Sequence, residues 1–302
     1  MSEHESTSEI IKSLVVNVLI ACSKGVAAAI TGSGAMLAET LHSFADCGNQ
    51  LLLLRGVRAT RKPADREHPL GYGRALYFYS FIVALLLFSG GGVFSIWEGI
   101  HKVQHPEPVG DITVALVILC LSMLLEGWSL YGNIRVMNKR RGTKGLWRYL
   151  RDTKDSDLIV VAGENSAAVV GLVLALGAIV LAKETGDGRW DAIGSIAIGV
   201  TLVFVATFLA REVKSLLVGE AADESLVAEI EAIAALDKAV VKVLRVLTLQ
   251  QGPGEIIVAA KLQFQSGIES DALVEHINEF ERQLKARVPD VKWSFIEPDN
   301  AD

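Results

Sequence analysis

His42 and Asp46 stand four residues apart in the run Glu39-Thr-Leu-His-Ser-Phe-Ala-Asp46, inside a stretch otherwise apolar enough to cross a membrane. An ionisable side chain in hydrocarbon costs about 2.5–3.5 kcal/mol on insertion scales, so a pair of them there marks function. Positions i and i+4 share one helix face about 5–6 Å apart, which lets an imidazole and a carboxylate hold one cation together. A second polar pair, Glu164-Asn165, interrupts Val160-Val-Ala-Gly-Glu-Asn-Ser-Ala-Ala-Val-Val-Gly171. If the two helices are neighbours, His42, Asp46 and one or both of Glu164 and Asn165 supply three or four N and O ligands. A tetrahedral N/O set suits Zn2+, more oxygen shifts the preference toward Mn2+ or Fe2+, and the lack of thiolate ligands disfavours Cu+. Glu164 and Asn165 point about 100° apart on a helix, so the spacing leaves open which one ligates.

Three further charges fall in apolar segments. Lys24 and Glu126 are read as a structural ion pair, and Glu98, near the end of its segment, as an interfacial residue. Cys22, Cys47 and Cys120 all lie within apolar stretches, too few and too far apart in sequence for a disulfide framework or a four-cysteine zinc site, and read as small buried apolar residues.

The elements that must position these groups are long helices. With 51% hydrophobic but only 7% aromatic residues and a mean hydropathy of +0.37, the apolar content is spread over aliphatic runs, as in a polytopic membrane protein. Six segments have the length of about 20 residues that a bilayer demands: 11–31, 35–54, 76–100, 112–134, 158–182 and 191–210. The expected division is a tail over 1–10, a six-helix transmembrane domain over 11–212 and a soluble domain over 213–302. Residues 1–9 lack the basic region and small-residue cleavage site of a signal peptide, so the first segment is taken as a mature span. Glycine, alanine and serine runs such as Ser89-Gly-Gly-Gly92 are read as close helix packing, since none follows a strand of a βαβ unit.

Orientation follows from the basic residues. The connection after the second span carries Arg55, Arg58, Arg61, Lys62, Arg66 and Arg74; the one after the fourth carries Arg135, Lys139, Arg140, Arg141, Lys144, Arg148, Arg151 and Lys154. Only Lys102, Lys183 and Arg189 stand opposite, which places both termini in the cytoplasm. A bacterial inner membrane is the expected location. The soluble part shows a helix over 224–235, strands over 239–249, 255–264 and 291–296, and an amphipathic helix over 270–287, an α+β domain in the order αββαβ. A net charge of -6 gives no reason to expect nucleic acid, and no His-Glu-x-x-His, Gly-x-Ser-x-Gly or Ser/His/Asp arrangement points to an enzyme.

The runs Lys24 to Thr31-Gly-Ser33, Glu39 to Asp46, Pro63-Ala-Asp-Arg-Glu-His-Pro-Leu-Gly-Tyr-Gly-Arg74, Glu164 to Gly171, Trp190-Asp-Ala192 and Leu217-Val-Gly-Glu-Ala221 together resemble the cation diffusion facilitator family over essentially the whole chain. The resemblance implies a homodimer in the lipid bilayer that exports a divalent metal, usually Zn2+, in exchange for protons, with no cofactor. It implies a transport site on helices two and five; His42 and Asp46 match the first pair. On helix five, alignment on Gly171 puts Val161 and Asn165 where many members carry His and Asp, while Glu164 resembles the Glu-Asp pair of a branch that includes mitochondrial and nuclear zinc-transporter-like proteins. A loop site keeps Asp65 and His68, but Tyr72 replaces its second histidine, so a weak site is expected. The family's C-terminal zinc positions fall near Leu244, Lys261 and Phe295, where only Glu297 can ligate, and His276 is read as a surface residue. Dimerisation should then rest on apolar packing. The rival expectations are a Mn2+ or Fe2+ exporter and a non-transporting metal-binding membrane protein.

Overall fold

A computed structural model describes residues 3–106, 111–143, 145–152 and 156–301. Lys144 and Lys154 of the basic connection lie outside the described residues. The chain is a polytopic helical protein with a small α+β domain at its C-terminal end, and the long helices are α1 (Glu3–Thr31), α2 (Gly34–Thr60), a continuous path from α3 (Ala75–Leu86) through a π-helical stretch (Leu87–Val93) into α4 (Phe94–Gln104), then α5 (Thr113–Arg140), α7 (Ser156–Thr185) and α8 (Arg189–Val218). The short α6 (Leu146–Asp152) lies in the basic connection. These occupy the six expected segments, with α1 starting earlier than the expected tail allows. Among the described residues four are by themselves long and apolar enough to cross a membrane: Ala75–Gln104, Thr113–Arg140, Leu158–Thr185 and Arg189–Val218. Helix α2 falls short because Glu39, His42, Asp46, Asn49 and Gln50 punctuate it, polar groups that hydrocarbon tolerates only when turned toward other helices. The apolar part of α1 is Asn17–Thr31.

By contact the chain divides into two compact units, Met1–Gly56 with Phe78–Val213, and Val57–Tyr77 with Lys214–Asp302. Within the first, the path of the π-helical stretch and α4 approaches α8 through matched small residues. A Cβ on Gly99 would lie 2.8 Å from the Ala192 carbonyl oxygen, and one on Gly199 would lie 2.8 Å from that of Gly92. Gly92 and Gly99 are one heptad apart, as are Ala192 and Gly199, so two antiparallel helices meet backbone to backbone, as small residues permit in lipid. The run Ser89-Gly-Gly-Gly92 lies in the π-helical turn, where absent side chains leave little to hold the tighter α pitch.

The turn from α1 to α2 is clasped by α8. Asp191 accepts from Ser33 Oγ (2.5 Å), Gly34 N (2.5 Å) and, more loosely, Ala35 N (3.4 Å), while Ser33 Oγ accepts from Met36 N at 3.1 Å. A carboxylate there satisfies donors that a helix start leaves open and faces the positive end of its dipole. Lys102 donates to the Gly32 carbonyl beside it.

In the second unit, α9 (Ser225–Ala234) precedes β1 (Val240–Gly252) and β2 (Glu255–Phe264), an antiparallel hairpin; α10 (Ser270–Arg287) then crosses to β3 (Val291–Pro298), parallel to β2. Alternation in β2 sends Ile256, Val258, Ala260 and Leu262 inward against Ile230 and Ile233 of α9 and Phe280 and Leu284 of α10. The segment after α2 belongs to this unit too: Gly73 packs against the backbone of Gln251 and Gly252.

Candidate metal site

His42 and Asp46 lie one turn apart on α2, with Nδ1 and Oδ1 separated by 3.6 Å, too far for a hydrogen bond. His42 is fully buried. Neither of its ring nitrogens, nor Asp46 Oδ1, has a hydrogen-bond partner among the described residues. Buried polar atoms in native structures are nearly always satisfied, so three orphaned atoms on adjacent turns call for a water or an ion.

Asp46 lines a small polar cavity of about 30 Å³ together with Asn17 and Ile20 of α1, Ser43 and Gln50 of α2, Glu126 of α5, and Glu164 and Asn165 of α7. The walls are therefore the two segments singled out from sequence, brought together, with α1 and α5 completing the enclosure. The cavity has room for a water-sized ion. His42 is not among the cavity walls, and among the described residues no three His, Cys, Asp or Glu side chains gather closely enough to hold a metal.

Glu164 and Asn165 are separated as a helix demands. Glu164 Oε1 accepts from Asn49 Nδ2 at 2.5 Å, joining α7 to α2, whereas Asn165 Nδ2 donates to Ser129 Oγ on α5 at 3.0 Å. Asn49 escaped sequence reasoning although it lies seven residues after His42 on the same face. Glu126 belongs to the cavity rather than to a pair with Lys24, whose Nζ instead contacts Glu39 Oε2 at 3.0 Å and Ser43 Oγ at 2.8 Å. Spacing along one helix carries no information about which residue of another helix stands opposite, so the partner of Lys24 was not legible. Glu98 pairs loosely with Lys102, at 4.0 Å.

Asp65 and His68 sit together on an exposed turn, but the carboxylate is already engaged. Its Oδ1 accepts from the backbone N–H of Glu67 (3.0 Å) and His68 (2.8 Å), and its Oδ2 accepts from the Tyr72 hydroxyl (2.7 Å). The Tyr72 hydrogen bond, foremost, holds the Asp65 carboxyl below its usual range. His68 Nδ1 is 3.7 Å from Asp65 Oδ1, and its ring lies tilted against that of Tyr72, centroids 4.2 Å apart. At the C-terminal positions, Lys261 takes Asp299 Oδ2 at 2.8 Å and Glu297 Oε1 at 3.7 Å, so an ammonium occupies the carboxylates there. His276 is not a bare surface residue: its Nδ1 meets Asp237 Oδ2 at 2.7 Å. Of the three cysteines, only Cys47 is buried as expected; Cys22 and Cys120 are exposed, since an apolar helix leaves one face turned away from its neighbours.

Comparison with known proteins extends the picture. The profile of the cation efflux transmembrane domain matches residues 10–218. The chain is 30% identical over 268 residues to the mitochondrial proton-coupled zinc antiporter SLC30A9 of Xenopus laevis, covering 88% of this chain and 48% of that protein. It is 30% identical over 236 residues to metal tolerance protein C4 of Arabidopsis thaliana, covering 78% and 52%, and 28% identical over 192 residues to the cation-efflux pump FieF of Yersinia pestis, covering 62% and 58%. The chain spans about half the length of the first two relatives.

Proposed function

The chain belongs to the cation efflux family, a family of transporters rather than enzymes, and from that premise we propose that it moves a divalent metal cation, Zn2+ first, across a membrane in exchange for protons. The observation that carries the reading is the cluster of orphaned donor atoms on His42 and Asp46 beside a cavity walled by Asp46, Glu126 and Glu164 within apolar helices. A relative's name points the same way, the proton-coupled zinc antiporter of Xenopus laevis.

In this mechanism His42 and Asp46 supply the first nitrogen and oxygen, and Glu164, oriented by the hydrogen bond from Asn49, supplies the next; Asn165 is the neutral fourth ligand. Loading requires a neutral imidazole and ionised carboxylates, so metal and protons compete for the same atoms and uptake of protons expels the ion. The site opens alternately to either side as helices rock, a small displacement sufficing to draw His42 onto an ion held by Asp46. The basic connections face the side from which metal is taken, the chain acts as a homodimer, and a bacterial inner membrane houses it. Asp65 and His68 contribute a weak loop site at most.

A second reading is Mn2+ or Fe2+ transport, favoured by the oxygen donors that dominate the cavity. Metal competition in proteoliposomes separates the two: Zn2+ flux suppressed only weakly by excess Mn2+ and Fe2+ supports the first, and strong suppression the second.

A further inference from the structure

Beyond the cavity, toward the end where α1 turns into α2, lies a layer contributed by three helices. Lys24 comes four residues after Ile20 on α1, Glu39 seven before Asp46 on α2, and Gly171 seven after Glu164 on α7. At 1.5 Å rise per residue these offsets set the layer about 6–10 Å from the cavity walls on every helix. Lys24 and Glu39 are fully buried and paired at 3.0 Å, and the same ammonium donates at 2.8 Å to Ser43, whose side chain faces the cavity. The other carboxylate oxygen of Glu39, Oε1, is buried without a hydrogen-bond partner among the described residues. It lies against Gly171, where any side chain would collide with it.

A buried ion pair adds little net stability, because stripping two charges of water costs about what their attraction returns. Its presence here, with one carboxylate oxygen left open, points to traffic. Resting on the transport reading, we infer that Lys24 and Glu39 form the gate on the far side of the cavity, and that Glu39 is the carboxylate the outgoing cation meets after leaving Asp46. The ammonium stands where a cation will stand. A divalent ion arriving at Oε1 displaces it from Oε2, Ser43 keeps it as a partner, and its return closes the path once the ion has gone. Gly171 lets the carboxylate lie flat against α7 while this exchange takes place.

The test compares the full chain with Glu39→Gln, Gly171→Ala and the double replacement K24M/E39L, measuring Zn2+ affinity by calorimetry, thermal melting and Zn2+ flux in proteoliposomes. Affinity should stay within about three-fold of the unaltered chain in all of them. The double replacement should melt no lower, since an apolar pair replaces a buried ion pair without orphaning a charge. Flux should fall about ten-fold or more in every variant, as removal of a gating step demands. A double replacement that binds and transports like the unaltered chain overturns the gate and leaves the pair a packing device. Affinity and flux falling together in Glu39→Gln overturns it also, by placing Glu39 in the loading site itself. Should the double replacement fail to fold, Glu39→Gln and Gly171→Ala decide by the same criteria. An unaltered chain that carries no divalent cation removes the transport reading beneath the inference, whereas full flux through the variants removes the inference alone.

Discussion

The donor atoms of His42 and Asp46 are held ready by what surrounds them more than by each other, since 3.6 Å separates them. Asn49 is the residue that fixes Glu164; replacing it with alanine should weaken Zn2+ binding by about 10–100-fold, as loss of a partner that orients a ligand does, and calorimetry will read it. Tyr72→Phe should leave flux intact and let the Asp65 carboxyl rise toward its ordinary value, followed by carboxyl NMR. The sign is that of a depressed carboxylate: the turn around Asp65 gains stability above the ordinary aspartate pKa and loses it as pH falls through the lowered one. The His42–Asp46 pair was legible as a candidate because a carboxylate one turn from an imidazole in an apolar run has few other uses. Asn49 was equally visible, three residues beyond Asp46, but amides in helices have too many bland roles to stand out alone.

At the scale of elements, α2 carries both residues of the candidate pair and is pinned at its start. Asp191→Ala removes the carboxylate over its N-terminus and should cost about 0.5–2 kcal/mol, seen as a lowered melting temperature in detergent. Gly99→Leu drives a side chain into the α8 backbone and should destabilise by about 1–3 kcal/mol in the same measurement. The helix positions were readable from apolar run length, and the glycine runs were readable as packing. The π-helical turn at Leu87–Val93 was not, because a glycine run marks close helix packing and a loosened helical turn alike. A lack of interhelical register hid the Lys24–Glu39 pair.

Over the whole molecule, the αββαβ order of the C-terminal domain was the easiest part to read, since period-two alternation in β2 and the amphipathic α10 identify themselves. What sequence order concealed is that Val57–Tyr77 joins that domain; a chain segment declares its neighbours in sequence, not in space. Leu284→Ala, in the domain core, should cost about 2–5 kcal/mol in chemical unfolding. The central claim, that this fold moves metal against protons through Asp46, is tested most directly by Zn2+ flux into proteoliposomes under an imposed pH gradient, with Asp46→Ala alongside. The account predicts gradient-driven flux in the unaltered chain and none in the variant. Flux that ignores the gradient, or that survives Asp46→Ala, would contradict it.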